Sequence, residues 1–346
     1  MRAAVYDRFR GPITIETVAD PVVPDDGVVL SVRANGICRS DWHGWMGHDP
    51  DIVLPHVPGH EIAGVVEAVG AQVTRFVPGD RVTVPFIAGC GRCGPCHAGQ
   101  SQVCDDQFQP GFHGWGGFAE LVALRRADAT LVPLPDELDF VTAASLGCRF
   151  ATSFRAVTVQ GRVAAGEWVA VHGCGGVGLA AVQIAAAAGA RVIAVDIAEG
   201  PLALARTAGA THTLDATQVS DIPEAIATLT SGGAHLAIDA LGHPDCVLNG
   251  VRGLRKQGRF VQVGLLPDGP VPVPLDRVIG WELEIVGSHG LPAHDYGRLL
   301  SLVASGAVDP GALVTRRVTL DEGATLLGEL GAFGLSGMAV IDRFAG

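Results

Sequence analysis

The sequence predicts a doubly wound α/β domain inserted into a β-rich domain, and three observations support this. Residues 1–35 alternate apolar and polar side chains between turn signals, which is typical of short antiparallel strands. From Val169 onward, apolar strands alternate with helical segments, as in a parallel sheet with helices on both faces. The chain of 346 residues is longer than one core usually holds. We therefore expect one domain at 1–149 and 288–346, and another at 150–287.

Turn residues and apolar runs predict the remaining elements in order. In the first domain, strands are expected at 62–70, 80–85, 116–124 and 129–133, and a helix at 137–145. In the second domain, strands are expected at 169–172, 192–195, 234–239, 259–263 and 283–286, with helices at 179–188, 221–230 and 248–254. The tail should contain one or two helices and a last strand at 338–341, which returns the chain to the first domain.

A glycine-rich turn follows the first strand of the second domain. Its residues are Gly173, Cys174, Gly175, Gly176, Val177 and Gly178. An alanine-rich helix and a second apolar strand come next, and Asp196 ends this strand 18 residues past Gly178. Glycines here let the backbone approach a pyrophosphate at the helix N-terminus, and a carboxylate at that distance meets the ribose hydroxyls. Strand, turn, helix and acid in this order predict a dinucleotide-binding site.

Composition narrows the possible partners and the location. The net charge of −12 argues against a nucleic-acid partner or an anionic membrane surface. Residues 168–190 carry no charged side chain and could cross a bilayer, but their five glycines and the strand that follows favour a βα unit instead. The first residues include several charges and no apolar run, unlike a secretory leader. We therefore expect a cytoplasmic protein whose eight cysteines are thiols or metal ligands.

Four of the cysteines stand close together in a loop rich in glycine. They are Cys90, Cys93, Cys96 and Cys104. Four thiolates can complete a tetrahedral zinc shell, which leaves no position for a substrate, so the spacing predicts a structural zinc site. The alternatives are a disulfide knot, which is unexpected in a cytosolic chain, and an iron–sulfur cluster, whose cysteine spacings usually differ.

Two further cysteines and a histidine remain as donors outside this loop, namely Cys38, Cys148 and His60. Such a set suits a catalytic zinc whose fourth position stays open. Taken alone, each residue fits better as a buried small apolar residue or a hydrogen-bonded core histidine. Because Cys148 is 110 residues from Cys38, spacing by itself leaves both interpretations open.

The chain resembles the zinc-dependent medium-chain alcohol dehydrogenases over essentially its full length. The segments that carry the resemblance are GICRSDWH (36–43), PGHEIAGVVEAVG (58–70), the four-cysteine loop, SLGCRFATSFRAV (145–157), GCGGVG (173–178) and VDI (195–197). The resemblance implies a Rossmann coenzyme domain inserted into a GroES-like catalytic domain that carries both zinc sites. It also implies that Cys38, His60 and Cys148 bind the catalytic zinc.

Further roles follow from the same resemblance. Glu61 would lie behind the zinc as an occasional replacement ligand, and Asp41 would orient His60 by accepting its ring proton. In an ordered hydride transfer, NAD would bind before the alcohol. Ser40 would take the hydroxyl proton and pass it through the nicotinamide ribose to His43, whose pKa suits a last step near neutral pH.

Cofactor contacts are implied at several more positions. These are Arg39 at the pyrophosphate, Val263 and Leu265 at the nicotinamide ring, and Ser288 at its carboxamide. Asp196 repels a 2′-phosphate, and residues 197–205 contain no arginine or lysine to bind one, so NAD is expected rather than NADP. Many relatives carry an arginine that reaches the pyrophosphate where this chain has Met338, a departure that should weaken dinucleotide binding.

Trp45 and Phe86 match positions that narrow the substrate pocket in compact microbial relatives. The expected reaction is reversible hydride transfer between NAD(H) and a primary or small secondary alcohol, aldehyde or ketone, aromatic ones included. The resemblance also implies a homo-oligomer, a tetramer rather than a dimer. The alternatives are a formaldehyde- or polyol-type zinc dehydrogenase, a zinc-free quinone or enoyl reductase, and a catalytically silent dinucleotide-binding relative.

Overall fold

Short strands dominate the first part of the chain. A computed structural model describes residues 1–266, 269–332 and 336–345. Its first strands are β1 (Arg2–Val5), β2 (Thr14–Thr17), β3 (Val28–Ile37), β4 (Glu61–Val69), β5 (Arg81–Thr83), β6 (Leu121–Leu124) and β7 (Val132–Pro133). The first helices are α1 (Arg39–Trp45), α2 (Gly94–His97), α3 (Ala127–Thr130), α4 (Phe140–Ala144) and α5 (Ala151–Phe154), with π-helical turns at Leu146–Phe150 and Arg155–Gln160.

Local contacts shorten three of the predicted elements in this part. The strand predicted at 116–124 begins only at Leu121, because Gly116 packs against Gly59 and a Cβ on it would lie 2.2 Å from the Gly59 oxygen. The helix predicted at 137–145 begins only after Asp139, whose side chain caps it by accepting from the Thr142 N–H. The first two residues of the strand predicted at 129–133 were wrong, since α3 occupies 127–130 and β7 begins at Val132.

The middle of the chain alternates strands and helices. Its strands are β8 (Trp168–His172), β9 (Arg191–Asp196), β10 (His212–Asp215), β11 (Ala234–Asp239), β12 (Leu254–Gln262) and β13 (Glu284–Gly287). Its helices are α6 (Gly176–Ala187), α7 (Glu199–Thr207), α8 (Ile222–Thr230), α9 (Pro244–Arg252) and α10 (Leu275–Trp281). The strands form one parallel sheet in the order β10-β9-β8-β11-β12-β13, the doubly wound arrangement that the sequence predicts.

The helix predicted at 248–254 was misplaced. The observed α9 begins at Pro244 because His243 caps it, and it ends at Arg252. Leu254 already belongs to β12. Sequence analysis also missed β10, whose four residues are partly or fully exposed and lack an apolar run.

The tail adds α11 (Tyr296–Ala304), β14 (Val314–Thr319), α12 (Leu320–Glu329) and β15 (Met338–Arg343). β15 pairs antiparallel with β3, with Ala339 opposite Ile37. The resulting sheet has the order β14-β15-β3-β4-β5-β7, with β6 also paired to β3. The tail therefore completes the first sheet, although β14 was not predicted.

The chain divides into two compact units. The first comprises Met1–Ala151, Gly290–Ala304 and Pro310–Gly346, and the second comprises Thr152–His289 and Ser305–Asp309. The segment Ser305–Asp309 belongs to the second unit because the side chain of Gln183 makes two hydrogen bonds with the backbone of Asp309, at 2.9 and 3.1 Å. Each unit has its own apolar core. No helix in the described part of the chain is long and apolar enough to cross a bilayer.

Candidate active site

Three donors predicted for a catalytic zinc converge in the first unit. Cys38 lies between β3 and α1, His60 directly precedes β4, and Cys148 lies in the π-helical turn before α5. Ligand atoms of these residues and of Glu61 all lie within 4.8 Å of one another, and all four side chains are buried. Two sulfurs and a ring nitrogen at this spacing fit a catalytic zinc with one open position.

Asp41 holds His60 in the orientation that a metal ligand needs. Its Oδ1 lies 2.7 Å from Nδ1 of His60 and accepts a 3.0 Å hydrogen bond from the Gly59 N–H. Its Oδ2 accepts a 3.2 Å hydrogen bond from the Cys38 N–H at the start of α1. Nε2 of His60 is buried and has no hydrogen-bond partner among the described residues. A buried ring nitrogen left unpartnered beside two thiols is the arrangement expected of a zinc ligand.

A hydrogen bond between the thiols of Cys38 and Cys148 shifts their pKa values in opposite directions. The hydrogen bond with Cys148 lowers the pKa of Cys38 against the effect of burial, and the nearby His60 and Arg149 lower it further. The same hydrogen bond, together with burial, raises the pKa of Cys148 well above its usual range. Burial opposes a charge on His60, but Asp41 and Cys38 raise its pKa. A divalent cation would displace these protons, because it binds thiolates and neutral imidazole.

The four-cysteine loop forms a second sulfur cluster, with all four Sγ atoms within 4.8 Å of one another. Sγ of Cys93 and Sγ of Cys104 are 3.7 Å apart, close to the roughly 3.8 Å that 2.3 Å bonds to a tetrahedral zinc require. Backbone N–H groups of Cys90, Arg92 and Asp106 point at these sulfurs over 3.1–3.5 Å. The one from Arg92 lowers the pKa of Cys90 to about 6. The loop therefore fits a closed, structural zinc site.

The second unit builds a glycine-rich turn between β8 and α6. Gly173 has a φ of +89°, which favours glycine. A Cβ on Gly178 would lie 1.8 Å from the Gly173 oxygen, so glycine lets α6 start this close to the strand. A Cβ on Gly175 would meet no described atom within 4 Å, so the space before α6 is open. The N-terminus of this twelve-residue helix suits a pyrophosphate there.

Asp196 ends β9 next to this turn. Its Oδ2 accepts a 2.7 Å hydrogen bond from the Cys174 N–H, and its Oδ1 accepts from the N–H groups of Ile197 and Ala198 at 2.8 and 3.1 Å. The half-buried carboxylate is thereby fixed in position. A fixed negative charge here attracts ribose hydroxyls and repels a phosphate.

Comparisons with known proteins match both units. The Alcohol dehydrogenase GroES-like domain family matches residues 24–136, and the Zinc-binding dehydrogenase family matches residues 176–305. An alcohol dehydrogenase of Geobacillus stearothermophilus is 34% identical over 310 residues, which cover 89% of this chain and 90% of the relative. This chain belongs to the zinc-dependent medium-chain alcohol dehydrogenase family.

Two further relatives of this chain show how broad the family is. A sorbitol dehydrogenase of Bacillus subtilis (strain 168) is 33% identical, with 93% of this chain and 91% of the relative covered. The crystal structure of a protein described as a zinc-binding dehydrogenase, from Sinorhizobium meliloti 1021 and bound to NADP, has a TM-score of 0.90 at 32% identity and covers 99% of both chains. The family establishes a zinc-type oxidoreductase and leaves its substrate open.

In this family member, α1 carries both Ser40 and His43, and Cys38 directly precedes it. Oγ of Ser40 lies 3.9 Å from Sγ of Cys38. Nδ1 of His43 lies 2.9 Å from Nδ1 of the exposed His48, so one ring donates and the other accepts, according to their tautomers. Burial, together with the charges of Arg39 and His48, lowers the pKa of His43. Sequence analysis did not anticipate the contact with His48.

Two phenylalanines lie beside the predicted catalytic zinc of this alcohol dehydrogenase family member. Phe86 packs in one cluster with Cys38 and Cys148, and its ring centroid is 6.0 Å from that of His60. Phe112, which sequence analysis missed, lies 5.3 Å from the same ring. Trp45 packs in a cluster with Phe112 and donates its ring N–H to the backbone. Trp115 lines a surface groove elsewhere in this unit.

The residues expected at the nicotinamide lie just after β12 and β13. The Val263 N–H donates to the Asp239 oxygen at 3.0 Å, and the Ser288 N–H donates to the Gln262 oxygen at 2.9 Å. Oγ of Ser288 is buried and lacks a partner within the described ranges, whereas Leu265 is 64% exposed. Both segments extend the carboxyl edge of the sheet, where dinucleotides bind in such folds.

Arg149 is a buried residue of the site that sequence analysis missed. Its guanidinium contacts Glu61. The available signal was a single charged residue directly after Cys148 in an otherwise apolar stretch. Met338, where the resemblance implied an arginine, is fully buried at the start of β15.

Proposed function

We propose that this protein is a zinc- and NAD-dependent alcohol dehydrogenase that interconverts a primary or small secondary alcohol and its aldehyde or ketone. The observation that carries the proposal is the buried set of Cys38, His60 and Cys148. Three protein ligands leave one position for a substrate oxygen. Zinc would polarise that oxygen as a Lewis acid, and NAD would take up the hydride.

Ser40 and His43 would move the proton of the alcohol toward solvent. The Ser40 hydroxyl can accept this proton while it donates its own to the next acceptor. The lowered pKa of His43 favours the neutral ring, which has a free lone pair to accept a proton. The exposed His48, 2.9 Å away, gives the proton an exit.

NAD is the proposed cofactor because of Asp196. A relative from Sinorhizobium meliloti binds NADP, so family membership alone does not decide the choice. Three backbone N–H groups hold the Asp196 carboxylate in place. A 2′-phosphate would meet this fixed charge and find no arginine or lysine at 197–205. We propose that Arg39 binds the pyrophosphate and that Val263, Leu265 and Ser288 bind the nicotinamide.

A polyol is the second candidate substrate, because a sorbitol dehydrogenase is among the relatives. Phe86 and Phe112 beside His60 favour compact or aromatic substrates instead. Their rings offer no hydrogen-bonding group to the additional hydroxyls of a polyol, which would then lose their water without replacement.

We also propose a cytoplasmic homo-oligomer, a tetramer rather than a dimer. β13 is the last strand of its sheet. Exposed apolar side chains lie on this strand and on α10, which precedes it in the chain. They are Ile285 in β13, which is 41% exposed, and Leu275 and Ile279 in α10, which are 63% and 79% exposed. A second copy of the chain would cover these side chains and pair the strand. Sedimentation that shows a monomer at micromolar concentration contradicts the oligomer.

The decisive experiment combines metal analysis with a panel of alcohols, polyols and aldehydes assayed with NAD(H) and NADP(H). We expect two zinc ions per chain and turnover of small or aromatic alcohols with NAD. Cys148→Ala should keep one zinc ion and lose turnover, whereas the control Cys246→Ala, in α9, should keep both. One zinc ion or none in the wild-type protein, or turnover by Cys148→Ala, contradicts the proposal.

A further inference from the structure

Glu61 is held by Arg149 through both carboxylate oxygens. Nε of Arg149 donates to Oε1 at 2.8 Å, and Nη2 donates to Oε2. The backbone N–H of Arg149 adds a third hydrogen bond to Oε1 at 3.1 Å. The two side chains are 0% and 5% exposed, so this is a desolvated, bidentate ion pair.

The β3 backbone leaves room for this pair only because it has glycine at position 36. A Cβ on Gly36 would lie 2.0 Å from Oε2 of Glu61 and 2.6 Å from Nη2 of Arg149. The pair is thus confined between β3 and the turn that carries Cys148. Glu61 has little freedom to move while Arg149 is in place.

The confined carboxylate adjoins the predicted zinc site. A ligand atom of Glu61 lies within 4.8 Å of those of Cys38, His60 and Cys148. Carboxylate oxygen is itself a zinc ligand, and a fourth protein ligand would close the tetrahedral shell. An open site therefore requires that something keep Glu61 away from the metal.

We propose that Arg149 is a positioning residue that keeps Glu61 out of the zinc shell and so holds the fourth position open for substrate. This inference rests on the proposed function. Charge gives the reason, because two thiolates neutralise Zn²⁺ and Arg149 neutralises Glu61. Without Arg149, Glu61 would be a buried anion with the metal ion close at hand, and a buried unpaired charge is strongly unfavourable.

Cobalt-substituted protein tests this directly, because the visible spectrum of Co²⁺ reports binding of imidazole as an added ligand. In Arg149→Met, imidazole affinity should fall at least about tenfold. Zinc release to a chelator should become slower, because Glu61 adds a fourth ligand. The double variant Glu61→Gln/Arg149→Met should restore imidazole binding and the faster release, and its neutral pair avoids a buried charge if the single variant folds poorly.

A merely structural role for Arg149 gives the opposite result, since a loosened site would release zinc faster. Faster release, or unchanged imidazole binding, in Arg149→Met overturns the inference. So does a double variant that behaves like the single one. A wild-type protein that holds no metal at this site would instead overturn the proposed function, so the two failures are distinguishable.

Discussion

Oδ1 of Asp41 lies 2.7 Å from Nδ1 of His60, and both side chains are almost completely buried. This contact assigns Nδ1 the role of donor and leaves the lone pair of Nε2 for a metal. The same carboxylate caps α1 through the Cys38 N–H, so one acid positions two of the three proposed ligands.

Asp41→Asn should therefore weaken the catalytic zinc site. The amide keeps the volume but loses the charge, and we expect zinc affinity there to fall by about 10–100-fold. The four-cysteine site should keep its metal. Competition with a chelator measures both sites, and the exposed Asp7→Asn serves as control. Unchanged affinity in Asp41→Asn would show that His60 needs no orienting partner.

Cys90→Ser should mainly lower the stability of the fold. Its effect on the rate of turnover should be smaller. A structural zinc site contributes its binding free energy to folding, and serine is a poor zinc ligand. We expect one zinc ion fewer per chain and a lower midpoint of thermal unfolding. A Cys90→Ser protein as stable as the wild type would show that the loop holds its shape without metal.

Asp196→Asn should relax cofactor choice. The amide keeps the side-chain volume but removes the repulsion toward a 2′-phosphate, so the ratio of kcat/KM with NADP to that with NAD should rise. Asp196→Ala should lower use of NAD further, because it also loses the acceptor of the Cys174 N–H. A wild-type enzyme that prefers NADPH over NADH at equal concentration would contradict this assignment.

Ser40→Ala should keep both zinc ions and lower kcat by about 10²–10⁴-fold, the usual contribution of an acid–base group. His43→Ala should lose less, because water can replace an acceptor near solvent, and buffer base should partly restore it. His48→Ala should move the acid limb of the rate profile to higher pH, since the charge of His48 helps to lower the pKa of His43. A profile that His48→Ala leaves unchanged would contradict the coupling of the two rings.

His172 should make the protein less stable in acid. Burial lowers its pKa to about 4, against about 6.5 when unfolded. Between these values the unfolded state binds more protons, so stability is lost as the pH falls through this window, by about 2 kcal/mol between pH 7 and pH 5. His172→Gln should lose less stability over this interval, as measured by denaturant unfolding, and His294→Gln is an exposed control. Parallel loss in wild type and His172→Gln would rule out this role.

The short-range sequence pattern was enough to predict the fold of the second unit. The run from β8 through the glycine turn and α6 to Asp196 is continuous in the chain, so its residues predict both the fold and the binding turn. The four-cysteine loop could be recognised from the sequence in the same way, because its four cysteines lie within fifteen residues and their spacing itself indicates a metal site.

Only the tertiary structure decided which distant residues meet. Cys38 and Cys148 are brought together because β3 and β4 pair and the turn after α4 packs against them, which no local pattern encodes. The same holds for Arg149 on Glu61, 88 positions apart, and for Phe112 beside His60. Periodicity reports which face of an element is buried. It does not report which buried side chains face one another, because that depends on packing between elements far apart in the chain.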